Sequence, residues 1–211
     1  SDARIASVTR GIDQRADHRV DGWIAPGFID LQVNGAFSFD FTTDAASVAD
    51  VAGRLPSTGV TAFLPTIITS PLETYPRLLK DLEHAASNAR GAQILGIHLE
   101  GPYLSRKRKG AHNPDYFRAP QVDELEAWAG SPLVRIATLA PEQPGALDVI
   151  RRLCVRGIVA SAGHSDATYA QAIAGFQAGV TWGTHLFNAM SPFTHREPGL
   201  VGALLSSDIP C

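Results

Sequence analysis

The feature that most limits what this chain can fold into is an alternation of short, almost continuously apolar segments with longer amphipathic ones. The apolar segments span 28–33, 60–64, 94–99, 134–139, 158–162 and 180–184, and they have the composition of parallel strands buried on both faces. Between them, 44–55, 72–88, 122–129, 146–156 and 168–178 read as helices. Ser70-Pro71 predicts an N-cap followed by Pro at the first helical position, and Asp166 predicts a cap for the fifth helix. Gly59, Gly157 and Gly179 each stand between a helix and a strand beginning in Val or Ile, the place of a C-cap glycine.

This order predicts an α/β fold, either a barrel or a doubly wound sheet. Polar side chains decide between them. Gln32 and Asn34, Thr66, His98 and Glu100, His164 and His185 all fall at or near strand C-termini. Converging strand ends are how a (β/α)8 TIM-type barrel builds a site, whereas a doubly wound sheet concentrates chemistry at one switch point. The chain carries no Gly-rich dinucleotide fingerprint, so the barrel is the expectation. A full barrel has eight strands in roughly 250 residues. The 211 residues here supply about the first six βα units, with Ile209 reading as the start of a seventh strand.

Charge and composition exclude several function classes. The 18 Lys and Arg against 21 Asp and Glu leave a net charge of −3, and there is no basic surface for nucleic acid or an anionic membrane. With 45% hydrophobic and 18% charged residues, disorder is excluded as the general state. No apolar run approaches the roughly 20 residues of a membrane span. None of the opening residues reads as a signal peptide, and Cys154 and Cys211 cannot make a disulfide framework, so a reducing, cytoplasmic location is expected.

Glu100, His164 and His185 lie at the ends of three different strands, so a barrel aims all three at one point. One carboxylate and two imidazoles form a catalytic zinc shell that leaves a position open. The same residues taken singly would read as a polar rim or as histidines satisfied in the core.

The motifs around them are ordered. They are His98-Leu99-Glu100-Gly101-Pro102-Tyr103, Lys109-Gly110-Ala111-His112-Asn113-Pro114, Ala162-Gly163-His164-Ser165-Asp166-Ala167-Thr168-Tyr169, Thr184-His185-Leu186-Phe187-Asn188-Ala189-Met190 and Arg196-Glu197-Pro198-Gly199-Leu200. From about Trp23 onward, the chain resembles the N-acetylglucosamine-6-phosphate deacetylase family of the amidohydrolase superfamily. The resemblance implies a zinc-dependent barrel that removes acetate from this amino sugar phosphate. The implied metal ligands are Glu100, His164 and His185, and other divalent transition metals suit the same donors. It places Ala111, His112, Asn188 and Ala189 against the substrate, with His112 polarising the acetamide carbonyl. Arg196 goes to the phosphate, in a homodimer that of the neighbouring subunit.

Pro26-Gly27-Phe28-Ile29-Asp30 is an amidohydrolase strand entry usually followed by a metal-binding His-x-His pair, here replaced by Gln32-Val33-Asn34. Neutral amides ligate zinc poorly beside imidazole, so one metal is implied, and Gln32 and Asn34 are expected to hydrogen-bond in the barrel mouth. Arg106-Lys107-Arg108-Lys109 reads as a solvated loop, and His18, His84 and His195 as surface residues.

Two departures from the family pattern stand out. The 22 residues before Trp23 are too few for the family's N-terminal β-sandwich, so 1–22 reads as a remnant of it and 23–211 as a partial barrel. The family's general acid/base Asp is expected beyond Cys211. Three rival readings remain at this level: a deacetylase for the galactosamine epimer, a fragment that only binds metal or sugar phosphate, and a metal-free sugar-phosphate lyase or isomerase barrel. Residues 1–211 expressed alone are expected to lack zinc-dependent acetate release. A cooperative melt together with such turnover would overturn that expectation.

Overall fold

A computed structural model describes residues 5, 7–11 and 17–211. The rest of the expected N-terminal remnant lies outside the described residues, and no described residue before Phe28 belongs to a helix or strand. Strands β1 (Phe28–Val33), β2 (Val60–Ile68), β3 (Gln93–Ile94), β4 (Ile97–Glu100), β5 (Val134–Leu139), β6 (Val159–Ala162) and β7 (Val180–Gly183) are all parallel. Their spatial order is β1-β2-β4-β5-β6-β7, with β3 beside β2. That order follows the sequence without reversal. A doubly wound sheet would reverse at a switch point. The fold is therefore the singly wound half of a (β/α) barrel.

Helices α1 (Val48–Arg54), α2 (Tyr75–Asn88), α3 (Leu125–Ala129), α4 (Ala146–Val155), α5 (Tyr169–Ala178) and α6 (Gly199–Leu205) connect the strands or follow them. Buried positions on α2 (Leu78, Leu79, Leu82, Ala85) and α4 (Ala146, Val149, Ile150, Leu153) follow helical spacing. They join one core with Phe63, Ile67, Leu99, Ala137 and Ala160 from the strands. No helix among the described residues is long and apolar enough to cross a membrane.

Five local expectations are corrected. β2 runs past residue 64 through Pro65 to Ile68. Proline lacks a ladder donor, and the structure accommodates it opposite a bulge, where β1 advances from Asp30 to Val33 while β2 advances only from Phe63 to Pro65. The apolar segment 94–99 is two ladders, β3 and β4, separated at Leu95-Gly96. Ser70 does not cap a helix; its hydroxyl donates to the Ile68 carbonyl, and a 3-10 turn at Leu72–Thr74 leads into α2. Thr168, not Asp166, caps α5, in a reciprocal capping box with Gln171. Ile209 lies in no strand, although the Pro210 carbonyl accepts from the Gly183 N–H at 2.9 Å and so brings that segment beside β7.

Gly96 shows why the third apolar segment breaks. Its φ is +150°, and a Cβ there would stand 2.2 Å from Arg135 Cγ and 2.6 Å from the Leu133 carbonyl oxygen. The incoming backbone of β5 occupies the space a side chain would need. Gly96→Ala is expected to cost on the order of 1–3 kcal/mol, read as a lower midpoint in urea unfolding, with the parallel order unchanged by circular dichroism.

Candidate metal centre

Parallel strands bring their C-terminal ends to one rim. Glu100 ends β4, while His164 and His185 each stand two residues past the ends of β6 and β7. Both histidines have left-handed backbone, with φ +47° and +39°. Non-glycine residues enter that region at a cost on the order of 1–3 kcal/mol, and such residues cluster at functional sites. Phe187 (φ +72°) and Ala189 (φ +50°) continue the bent segment after His185.

Three donor atoms from these residues meet closely. His164 Nε2 and His185 Nε2 are each 3.0 Å from Glu100 Oε1 and 3.1 Å from each other. His112 Nε2 lies 3.5 Å from the other carboxylate oxygen. Burial acts to raise the Glu100 pKa, but the contacts from His112, His164 and His185 outweigh it and hold the carboxyl well below its usual range. His185 responds in the opposite sense: burial lowers its pKa, yet the Glu100 carboxylate raises it above the ordinary imidazole value.

Hydrogen bonds separate the roles of the histidines. His164 Nδ1 lies 2.9 Å from the Arg108 carbonyl, which can only accept, so Nδ1 carries the proton. Nε2 is then the ring atom that His164 turns toward Glu100 Oε1, 3.0 Å away. His112 has the reverse tautomer. Its Nδ1 accepts from the Thr69 N–H at 3.2 Å, so in the neutral ring its Nε2 carries the hydrogen. Glu100, His112 and His164 group within 4.8 Å as a set that could hold a metal ion, and His185 Nε2 adjoins the same donors. Adjacent ligands of a tetrahedral zinc are roughly 3.3 Å apart, close to the 3.0–3.1 Å edges seen here. The donor set fits a divalent metal ion.

These residues line a cleft of about 350 Å³, to which Gln32, Asn34, Ala111 and Asn188 contribute as well. Gln32 and Asn34 thus line the cleft. Ala189 is half-buried beside the cleft, and its carbonyl accepts from the Ser165 N–H at 3.1 Å. Arg196 is exposed and does not line the cleft; its Nε is 3.3 Å from His195 Nε2. His18, His84 and His195 are exposed. The basic run is only partly free in solvent, since Lys107 and Arg108 pair with Asp166 at 2.9 and 2.8 Å.

Sequence reasoning missed two residues. Thr69 orients His112 from the end of β2, where Pro65 suggests that the strand has already stopped. Glu142, in the loop after β5, accepts from the Ser165 hydroxyl and the Asp166 N–H, each at 2.7 Å, and so holds the loop carrying His164. Its position just past a strand end was the available signal.

Residues 23–206 match the Amidohydrolase family. The chain belongs to that family. It is 46% identical over 195 residues to the N-acetylglucosamine-6-phosphate deacetylase of Bos taurus, covering 89% of this chain and 48% of that one. Its identity to the Danio rerio enzyme of the same name is 45% over 206 residues, covering 92% and 51%. Among solved structures, N-acetyl-D-glucosamine-6-phosphate deacetylase from Mycobacterium smegmatis superposes with a TM-score of 0.75 at 40% identity, over 86% of this chain and 48% of that chain. The chain spans about half the length of the curated relatives it matches.

Proposed function

We propose that this chain carries the metal- and substrate-binding part of a hydrolase that converts N-acetylglucosamine 6-phosphate to glucosamine 6-phosphate and acetate. The observation that carries this reading is the close triangle of His164 Nε2, Glu100 Oε1 and His185 Nε2, with edges of 3.0–3.1 Å, in a chain this similar to deacetylases of that name. In this reading residues 23–211 form the partial barrel, 1–22 a remnant of a preceding β segment, and the protein works in the cytoplasm as a homodimer.

Glu100, His164 and His185 would hold one zinc ion, which when bound supplies an acidified water and a Lewis acid for a carbonyl. The protein's own groups do the rest. His112 presents its Nε2–H to the cleft, fixed in that tautomer by Thr69, and so can donate to an acetamide oxygen as negative charge grows on it. Asn188 and the Ala111 and Ala189 segments place the sugar. Arg196, exposed to solvent, offers its guanidinium to a phosphate, in a dimer that of the neighbouring subunit.

A proton must also pass from water to the departing amine. Asp166 is unsuited to this, since Lys107 and then Arg108 hold its carboxyl below the usual range and tie it to the loop after β4. We assign the task to an Asp outside residues 1–211.

Glu100→Ala, His164→Ala and His185→Ala are each expected to strip the metal, measured by elemental analysis, and to abolish acetate release. Stoichiometric metal in both histidine variants would overturn the ligand assignment. His112→Ala should keep its metal while kcat and kcat/KM fall together by about 10²–10³. Arg196→Ala should mainly raise KM for the phosphorylated sugar and leave the unphosphorylated sugar unaffected; equal loss on both substrates would make Arg196 structural.

A further inference from the structure

Beneath the ligand triangle lies a buried polar chain that the proposed reaction does not use. His98 on β4 is 2% exposed, Thr138 on β5 1%, Ser161 on β6 0%, and Thr184, just past β7, 2%. His98 Nδ1 is 3.0 Å from the Leu31 carbonyl, and its Nε2 is 2.7 Å from Thr138 Oγ1. Thr138 Oγ1 is 2.7 Å from Thr184 Oγ1, which is 2.6 Å from Ser161 Oγ.

The chemistry of the first contact fixes the direction of all the others. A carbonyl only accepts, so Nδ1 of His98 donates to Leu31. In the tautomer that this contact selects, Nε2 carries a lone pair and accepts from the Thr138 hydroxyl 2.7 Å away. Thr138 must then donate to His98, Thr184 to Thr138, and Ser161 to Thr184, because each hydroxyl has one hydrogen to give.

The chain crosses strands that are not neighbours. Leu31 sits in the irregular stretch of β1 between Asp30 and Val33, opposite Leu64. Thr138 and Thr184 meet across β6 beside Gly163, at which a Cβ would stand 2.9 Å from both Thr138 Cγ2 and Thr184 Cβ. Three of its members also adjoin the site. Thr138 is the ladder partner of Glu100, Thr184 precedes His185, and Leu31 precedes Gln32.

We propose that His98 is a positioning residue of this centre: through Thr138 and Thr184 it fixes where His185 leaves β7, and through Leu31 it fixes where Gln32 and Asn34 face the cleft. The proposal rests on the metal reading of Glu100, His164 and His185.

The test uses the full-length polypeptide and measures zinc affinity by competition with a chromogenic chelator, alongside the thermal midpoint. His98→Asn keeps a donor toward Leu31 but no acceptor at Thr138. His98→Gln keeps the acceptor but not the donor. Thr184→Val removes the central hydroxyl at almost constant volume. His98→Asn and Thr184→Val are expected to weaken zinc binding about 10–100-fold, with His98→Gln within threefold of wild type and the three thermal midpoints alike. Zinc affinities of His98→Asn and Thr184→Val within threefold of wild type would overturn the inference. So would affinity losses that merely follow the thermal midpoints across all three variants. Wild-type protein that takes up no zinc would instead overturn the metal reading, and the inference with it.

Discussion

A buried carboxylate organises this molecule. Glu100 is almost wholly removed from water, and an isolated negative charge in such a place would neutralise itself by taking up a proton. Here three imidazoles approach its two oxygens, and they arrive from the loop after β4, from the end of β6 and from the end of β7. A charge that needs partners from distant parts of the chain can be satisfied only if those parts converge. Parallel strand order provides the convergence, since every strand delivers its last residues to the same rim.

Within that rim, what distinguishes one histidine from another is the group behind the ring. A peptide carbonyl behind His164 and a peptide N–H behind His112 give the two rings opposite faces toward the same carboxylate. The backbone thereby selects a different tautomer in each ring, with no difference in residue type. His98 is a third case, with a carbonyl on one side and a hydroxyl on the other, and it is turned into the barrel instead of the cleft.

Much of this was legible in the sequence. β1 and β5 begin and end where the apolar runs do, because both edges of those runs are marked by turn residues. Glu100, His164 and His185 were visible as chemistry at strand ends, and the cleft that gathers them also contains Ala111, His112 and Asn188. Failures came where a local rule was outweighed by tertiary packing. Pro65 is a strand breaker by propensity, yet β2 continues because a bulge in β1 absorbs the missing donor. Asp166 has the side chain of a helix cap, yet two cations claim it first. The backbone groups of Arg108 and Thr69 that set the imidazole tautomers have no sequence signature, because every residue type has the same backbone carbonyl and almost every type the same N–H.

The contacts between the loops after β4 and β6 constrain how such a site can vary. The Ser105 N–H donates to the His164 carbonyl at 2.9 Å, and the Arg108 carbonyl takes the His164 ring proton at 2.9 Å. His164 is therefore gripped twice by a stretch only a few residues long, once through its main chain and once through its ring. The spacing from Ser105 to Arg108 becomes a ruler against which the ligand is set. Length variation among homologues should accordingly be rare inside that stretch and should collect beyond His112, where the chain has been released from its measure.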